Sequence, residues 1–316
     1  MTLVGVDLGG TSIRAALATG PGTHGPPVRR DTPAHEGPQA VLDAVAEAAR
    51  EAAGGAKLLG VAIGIPGPLD PATGVVYEAP NLPGWRGLEA GRLLSDRLGC
   101  PVAVHNDAKL AAYAEWRHGA GRGTRHMVFL TVSTGVGGGL IVDGRLLTGA
   151  AGTAGELGHI AVEPGGRACS QGHIGCLEGL ASGTAIAGRA AEALAAGVTS
   201  PLRDIDPRHL NATAVEAAAR AGDPLARRLY DEAGRALGRA IGGYVNVFSP
   251  EVVVIGGGLI QTRELLLDPL QAAVAELGFE VARQRCRIEV AALGTDAGLV
   301  GATAWAMDEV GRGASR

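Results

Sequence analysis

No apolar run in this 316-residue chain approaches the roughly 20 residues that a membrane-spanning helix needs, so no membrane association is expected. Basic residues form no block and the net charge is −4, which disfavours nucleic acid as a partner. Cysteine is scarce, with four in all: Cys100, Cys169, Cys176 and Cys286. That is too few for a disulfide scaffold, and a reducing cytoplasm fits best. No signal peptide precedes the first apolar run, which adds to the expectation of a cytoplasmic protein. Aromatics make up only 3% beside heavy use of alanine and glycine, a compositional bias with little functional weight. The 46% of hydrophobic residues and 19% of charged ones make a folded composition, long enough for two lobes around one cleft.

What is present alternates strands with helices. LVGVDLGG reads as a buried strand, and SIRAALA as a second strand paired to it through a glycine turn. From Pro38 to Ala53, Val41, Leu42, Val45 and Ala49 fall at helical spacing. KLLGVAIGIP is a strand ending in a tight Gly-x-Pro-Gly turn, and VVYEAPNLPGW a short strand running into a proline-rich loop. GLEAGRLLSDRLG is a helix closed by Gly99. PVAVHND is a strand and DAKLAAYAEWRHG the helix after it. HMVFLTVSTGVGGGLIVDG repeats the opening pattern, and ASGTAIAGRAAEALAAG is a helix. Between Ala226 and Phe248, one helical stripe holds Leu229, Ala233, Leu237, Ile241, Tyr244 and Phe248. EVVVIGGGLI and RIEVAAL are strands, and the last helix begins near Asp296. GPGTHGPP, at 20–27, is a loop by composition. The pattern is that of an α/β protein with largely parallel central pairing. The Gly-rich hairpin occurs at 7–11 and again at 133–139, which implies two related halves with a nucleotide between them.

Three glycine turns follow apolar strands: DLGGT, STGVGGG and VIGGGL. Glycine lets another group approach the bare backbone, and successive N–H groups in such turns make concave anion sites. None matches G-x-x-x-x-G-K-[ST], and none is a G-x-G-x-x-G opening a helix with a suitable acid downstream. A P-loop ATPase and a dinucleotide enzyme are therefore disfavoured. Asp7 beside such a turn would repel a bare triphosphate. With Mg2+ it becomes useful, because the ion takes one or two carboxylates plus phosphate oxygens and water. The alternative for Asp7 is a turn cap.

Transfer of a phosphoryl group to a hydroxyl needs positioning, charge neutralisation and a base. Asn106 and Asp107 sit between a strand end and a helix start. An Asn-Asp pair there is also a good N-cap, and the residues alone leave both readings open. Sugar hydroxyls call for carboxylates and amides. GELGH supplies Glu156 and His159, CLE supplies Glu178, and PNLPGW supplies Asn81. Glu156 and His159 are three residues apart and would share a face of one turn. Ordinary helix-end or solvated charges are the alternatives for the two glutamates.

Taken together, DLGGT, STGVGGG and VIGGGL resemble the two phosphate motifs and the adenosine motif of the sugar-kinase, Hsp70 and actin superfamily. GTAGELGHI followed by CSQGHIGCLE narrows the resemblance to the ROK family (repressor, open reading frame, kinase), over essentially the whole chain. The resemblance implies a two-lobed, ribonuclease H-like α/β fold with duplicated half-domains. A small lobe would comprise residues 1–117 plus 298–316, and a large lobe 118–297. It implies that Asp7, Gly9, Gly10, Thr11, Thr134, Gly135, Gly256 and Gly257 bind ATP, with Asp7 positioning hydrated Mg2+. It implies Asp107 as general base, and Asn81, Asn106, Asp107, Glu156, His159 and Glu178 as sugar ligands.

The repressor branch of the family carries a DNA-binding module ahead of the first phosphate motif. Asp7 leaves no room for one, so the kinase branch is expected. E-L-G-H-I with PNLPGW is most similar to the bacterial glucokinase branch, so the expected reaction is glucose to glucose 6-phosphate. N-acetylmannosamine and N-acetylglucosamine kinases of the family share all of these motifs. A non-catalytic sugar sensor would keep Glu156 and Glu178 without needing Asp107 or Asp7. Family members are commonly homodimers or homotetramers, and the same is expected of this chain.

In most of the family a C-x-C-x-x-x-x-C knuckle and the GELGH histidine bind one structural zinc, which orients the sugar-binding histidine. This chain departs from that pattern, with Gln171 at the middle cysteine. The ligands that remain are His159, Cys169 and Cys176. Two readings stay open: His173 takes the vacant corner, or the site holds no metal and Gln171 hydrogen-bonds inside the loop. Cys100 and Cys286 lie outside the knuckle and are expected to be small buried apolar residues.

Overall fold

The two opening apolar runs form an antiparallel pair, β1 (Leu3–Leu8) and β2 (Ser12–Gly20), joined by the DLGGT turn. The structure is a computed structural model and describes residues 2–310. β2 also pairs with β3 (Thr23–His24) and β4 (Val28–Asp31), so the expected loop at 20–27 contains a short strand. Helix α1 (Pro38–Ala52) leads to β5 (Gly60–Ile65), which runs parallel to β1. β6 (Leu69–Asp70), β7 (Val75–Glu78) and β8 (Arg86–Leu88) form a small sheet that frames the proline-rich loop. Helix α2 (Ala90–Leu98) ends at Gly99, in the left-handed conformation with φ 66°. β9 (Val102–Asn106) pairs parallel to β5, and α3 (Asp107–His118) follows with no intervening loop. The order of this sheet is β3-β2-β1-β5-β9.

The second half repeats the scheme. β10 (Met127–Val132) and β11 (Val136–Val142) flank the second glycine turn, and β12 (Arg145–Leu146) pairs back onto β11. A helical stretch follows: α4 (Leu177–Ala181), α5 (Gly183–Ala195), α6 (Ala212–Arg220) and the long α7 (Pro224–Phe248). Then come β13 (Val252–Gly256), α8 (Arg263–Leu277), α9 (Glu280–Arg285) and β14 (Arg287–Val290). Helix α10 (Ala297–Trp305) closes the described chain and continues as a π-helical turn to Val310. The sheet order is β12-β11-β10-β13-β14, with β13 parallel to both β10 and β14.

Two compact units result. Among the described residues, the first holds 2–123, 139–155 and 292–310, and the second 124–138 and 156–291. Residues 311–316, part of the expected small lobe, lie outside the described residues. In the first unit, side chains alternate along β1. Val4, Val6 and Leu8 are buried with Val41, Leu42 and Val45 of α1, while Leu3 packs with Ala306 beyond α10. In the second unit, Leu229, Ala233, Leu237, Ile241 and Tyr244 are buried as the stripe requires. Phe248 is only half-buried, because the last turn of α7 reaches the surface beside exposed Val247. No helix among the described residues is long and apolar enough to cross a membrane.

Candidate active site

In the first unit, the DLGGT turn is closed by the Gly9 N–H on the Ser12 carbonyl at 2.9 Å. Thr32, just past β4, ties it down twice. Its hydroxyl donates to the Gly9 carbonyl at 2.8 Å, and its N–H to the Thr11 carbonyl at 3.0 Å. Asn81 sits against the turn: a Cβ on Gly10 would lie 2.8 Å from the Asn81 Cβ, so no larger residue fits. Asp7 does not cap the turn. It faces Arg14, its partner across the β1–β2 ladder. The guanidinium grips Asp7 Oδ2 through Nη2 at 2.5 Å and Nε at 3.2 Å. It also donates to the Thr295 carbonyl at 2.8 Å and Asp296 Oδ1 at 3.2 Å, just before α10. Both bonds to Asp7 fall on one oxygen, and Oδ1 accepts none among the described residues.

The sharp junction between β9 and α3 presents the Asn-Asp pair. Asn106 is buried and caps the helix, with Oδ1 accepting the Lys109 N–H at 3.1 Å. Its Nδ2 donates to the Gly67 carbonyl at 3.1 Å. Each amide group keeps capacity for one more bond. Asp107 is half-buried at the first helical position, where Oδ1 accepts the Ala108 N–H at 2.7 Å. A carboxylate there is favoured by the helix dipole. Two neighbours are buried: Lys109, whose ammonium donates to the Gly152 carbonyl at 2.8 Å, and His105. The His105 ring lies 4.1 Å from that of Trp305. Burial, with a smaller push from the Lys109 charge, lowers its pKa to about 4, so the imidazole is neutral near pH 7.

In the second unit, the turn after β10 docks on the start of α5. Gly183 N–H donates to the Ser133 carbonyl at 2.7 Å, and the Thr184 hydroxyl to the Thr134 carbonyl at 2.8 Å. The VIGGGL turn packs beside it. Gly257 has φ 91°, and a Cβ there would lie 2.2 Å from the Val132 carbonyl oxygen, so only glycine is accommodated. Glu156 precedes a single 3-10 turn, Leu157–His159, whose first carbonyl is held by the Tyr244 hydroxyl at 2.5 Å. Glu178, on α4, is buried, and its Oε2 accepts the Val136 N–H at 3.1 Å. Four of the expected residues, Thr134, Gly135, Gly256 and Gly257, thus line two adjoining turns.

The knuckle gathers its donors. Ligand atoms of His159, Cys169 and Cys176 all lie within 4.8 Å of one another. His173 lies against two of them, with its Nδ1 3.2 Å from His159 Nδ1 and 3.7 Å from Cys169 Sγ, and outside the group of three. Cys169 Sγ is also 3.7 Å from His159 Nδ1. Gln171 is exposed, and only its backbone N–H is engaged there, on Cys169 Sγ at 3.4 Å. Of the cysteines outside the knuckle, Cys100 is buried as expected, whereas Cys286 is half-buried.

The sequence pattern of the ROK family matches residues 3–309. This chain belongs to the ROK family. It is 37% identical to a glucokinase of Thermotoga maritima, over 98% of this chain and 99% of the relative. It is similar in structure to a ROK family glucokinase of Streptomyces griseus in complex with glucose and AMPPNP. That likeness has a TM-score of 0.80 at 34% identity, over 96% of this chain and 98% of the other. A ROK hexokinase of Thermus thermophilus matches at TM-score 0.80 and 37% identity, over 99% and 100% of the two chains. The α/β fold with repeated half-domains is therefore that of the ROK sugar kinases.

Sequence reasoning missed several groups in this ROK chain. Arg14 was legible as the lone charge in the apolar run SIRAALA. Thr32 and Lys109 carried no local signal, since their partners are 23 and 43 residues away. Ser170 lay inside the knuckle, overshadowed by the metal-ligating types on either side of it.

Proposed function

We propose that this ROK family chain is an ATP-dependent hexose kinase acting on glucose in the cytoplasm, with glucose 6-phosphate as product. The observation that carries the reading is 37% identity to a glucokinase over 98% of this chain and 99% of the relative. We take the lobes as 1–117 plus 298–316, and 118–297. Asp107 receives the proton of the acceptor hydroxyl as that oxygen bonds to the terminal phosphorus. The bond from phosphorus to the leaving ADP oxygen breaks on the opposite side.

The fold supports these roles in detail. The Gly9 N–H closes the first turn and Thr32 occupies its carbonyls, so Gly9 brings phosphate close to the backbone while the Gly10 and Thr11 donors meet it; Thr134 and Gly135 do so from the second turn. We assign Gly256 and Gly257 to the adenosine through their backbone, since the space a Cβ would fill is taken by Ala291 and Val132. Mg2+, when bound, supplies charge neutralisation across the phosphates. Arg14 holds Asp7 by Oδ2 and leaves Oδ1 to accept from the water shell of the hydrated ion, which suits its liking for few carboxylates. Asn81, Asn106, Glu156, His159 and Glu178 bind sugar hydroxyls.

ADP release with Mg-ATP across hexoses and acetamido-hexoses tests the reading. Turnover on glucose well above the rest is expected. Preference for an acetamido-hexose would replace the substrate, and sugar-independent ADP release would overturn the kinase assignment.

We also propose that the knuckle binds zinc through His159, Cys169, Cys176 and His173. A tetrahedral ion with bonds of ~2.0–2.1 Å to nitrogen and ~2.3 Å to sulfur sets N···N near ~3.3 Å and S···N near ~3.6 Å. The separations among His159, Cys169 and His173, 3.2 Å and 3.7 Å, fit that geometry, and His173 closes the tetrahedron by moving toward Cys176, since it stands outside the group that Cys176 forms with His159 and Cys169. Metal analysis of the purified protein should find about one zinc per chain, falling in His173→Ala. A metal-free preparation with full activity and unchanged stability would sink the idea.

A further inference from the structure

Glu178 is pinned from two sides within the second unit. Its Oε2 accepts the Val136 N–H at 3.1 Å, directly after the Thr134-Gly135 turn. Its Oε1 accepts the Ser170 hydroxyl at 2.7 Å. Ser170 lies between Cys169 and Gln171, so this bond ties the knuckle to a buried carboxylate eight residues away. The turn leaves no slack on the other side: a Cβ on Gly135 would lie 2.7 Å from Oε2.

The terminal torsion of a glutamate is soft, and a carboxylate held by one oxygen swings about it. Held by both oxygens, its plane is defined. Each Glu178 oxygen has one donor and keeps capacity for another. The strength of a hydroxyl-to-carboxylate bond depends on angle, so a carboxylate of fixed plane binds a sugar hydroxyl better than a swinging one.

We infer that Ser170 is a positioning residue for hexose binding. With the Val136 N–H it sets the plane of the Glu178 carboxylate. The knuckle therefore contributes to substrate binding by a route separate from His159. The inference rests on the reading of Glu178 as a sugar ligand.

The test compares Ser170→Ala, Ser170→Thr and Glu178→Gln by calorimetric hexose Kd and by steady-state kinetics. Ser170→Ala should raise hexose Kd and KM roughly fivefold to tenfold, because a carboxylate freed on one side must be ordered when the hexose binds. KM for ATP, kcat and metal content should stay as in the parent, and the thermal midpoint should fall by no more than the few degrees that one hydrogen bond is worth. Ser170→Thr keeps the hydroxyl and should restore binding. Glu178→Gln should weaken hexose binding further. If Glu178→Gln impairs binding and Ser170→Ala does not, the positioning role is overturned. If Ser170→Ala lowers metal content or raises KM for ATP together with KM for hexose, its role is structural and the inference equally fails. If Glu178→Gln leaves hexose Kd unchanged, the underlying reading of Glu178 is what fails.

Discussion

Asp107→Asn is expected to lower kcat by roughly 10²- to 10⁴-fold, the range a positioned general base contributes. In barrier terms that is about 3–5 kcal/mol. Asparagine has the same shape, and its Oδ1 can still accept the Ala108 N–H that the carboxylate accepts at 2.7 Å. The helix start and its cap, Asn106 on the Lys109 N–H, should therefore survive. What is lost is basicity at the one position. Hexose affinity should remain within a few-fold of the parent, and the urea midpoint should barely move. Rapid-quench turnover with titration of hexose separates the two. A variant turning over within tenfold of the parent would remove Asp107 as the base.

The opposite signature is expected at the other end of the same helix. Glu115 is fully buried on α3 and accepts three backbone N–H groups. Its Oε2 takes Ala120 at 2.9 Å and Ala292 at 3.1 Å, and its Oε1 takes Leu293 at 2.7 Å. Ala120 lies three residues before the first compact unit hands the chain over at 123, and Ala292 is where the chain returns. One carboxylate thus fastens both segments to α3. Glu115→Ala leaves three donors without partners and a void, which should cost on the order of 4 kcal/mol of stability. Eight residues of helix put the site about 12 Å from Asp107, so kcat at 25 °C should change little. Urea unfolding followed by circular dichroism measures the loss. A decrease below about 1 kcal/mol would show that water or a rearranged loop satisfies those donors.

Much of the fold could be read in advance because it depends on local pattern. Continuous apolar runs marked β1 and β5, which are buried almost throughout, and a 3.6-residue period marked α1 and the buried stripe of α7. The elements that escaped are instructive. Helix α8 carries Pro269 in its interior, which reads as a breaker. It forms because α7 offers it a close seat: a Cβ on Gly234 would lie 2.7 Å from Pro269 Cγ and from the Leu266 carbonyl oxygen. The strands β6, β8 and β12 have two or three residues each, too few for any period to show.

The candidate site divides the same way. Residue types at their turns were determined by the sequence alone: Asp7 with Gly10, Asn106 with Asp107, GELGH, and the cysteines with their missing middle member. Those are contiguous, and the chemistry of a contiguous motif needs no knowledge of the fold. Which side chain steadies which was decided only by the tertiary structure. Arg14 reaches Asp296 across 282 positions, Glu115 reaches Leu293 across 178, and Ser170 finds Glu178 rather than solvent. A hydrogen bond depends on distance and angle in space. The periodicity of a chain records which face of an element is buried, and carries no information on the partner that buries it.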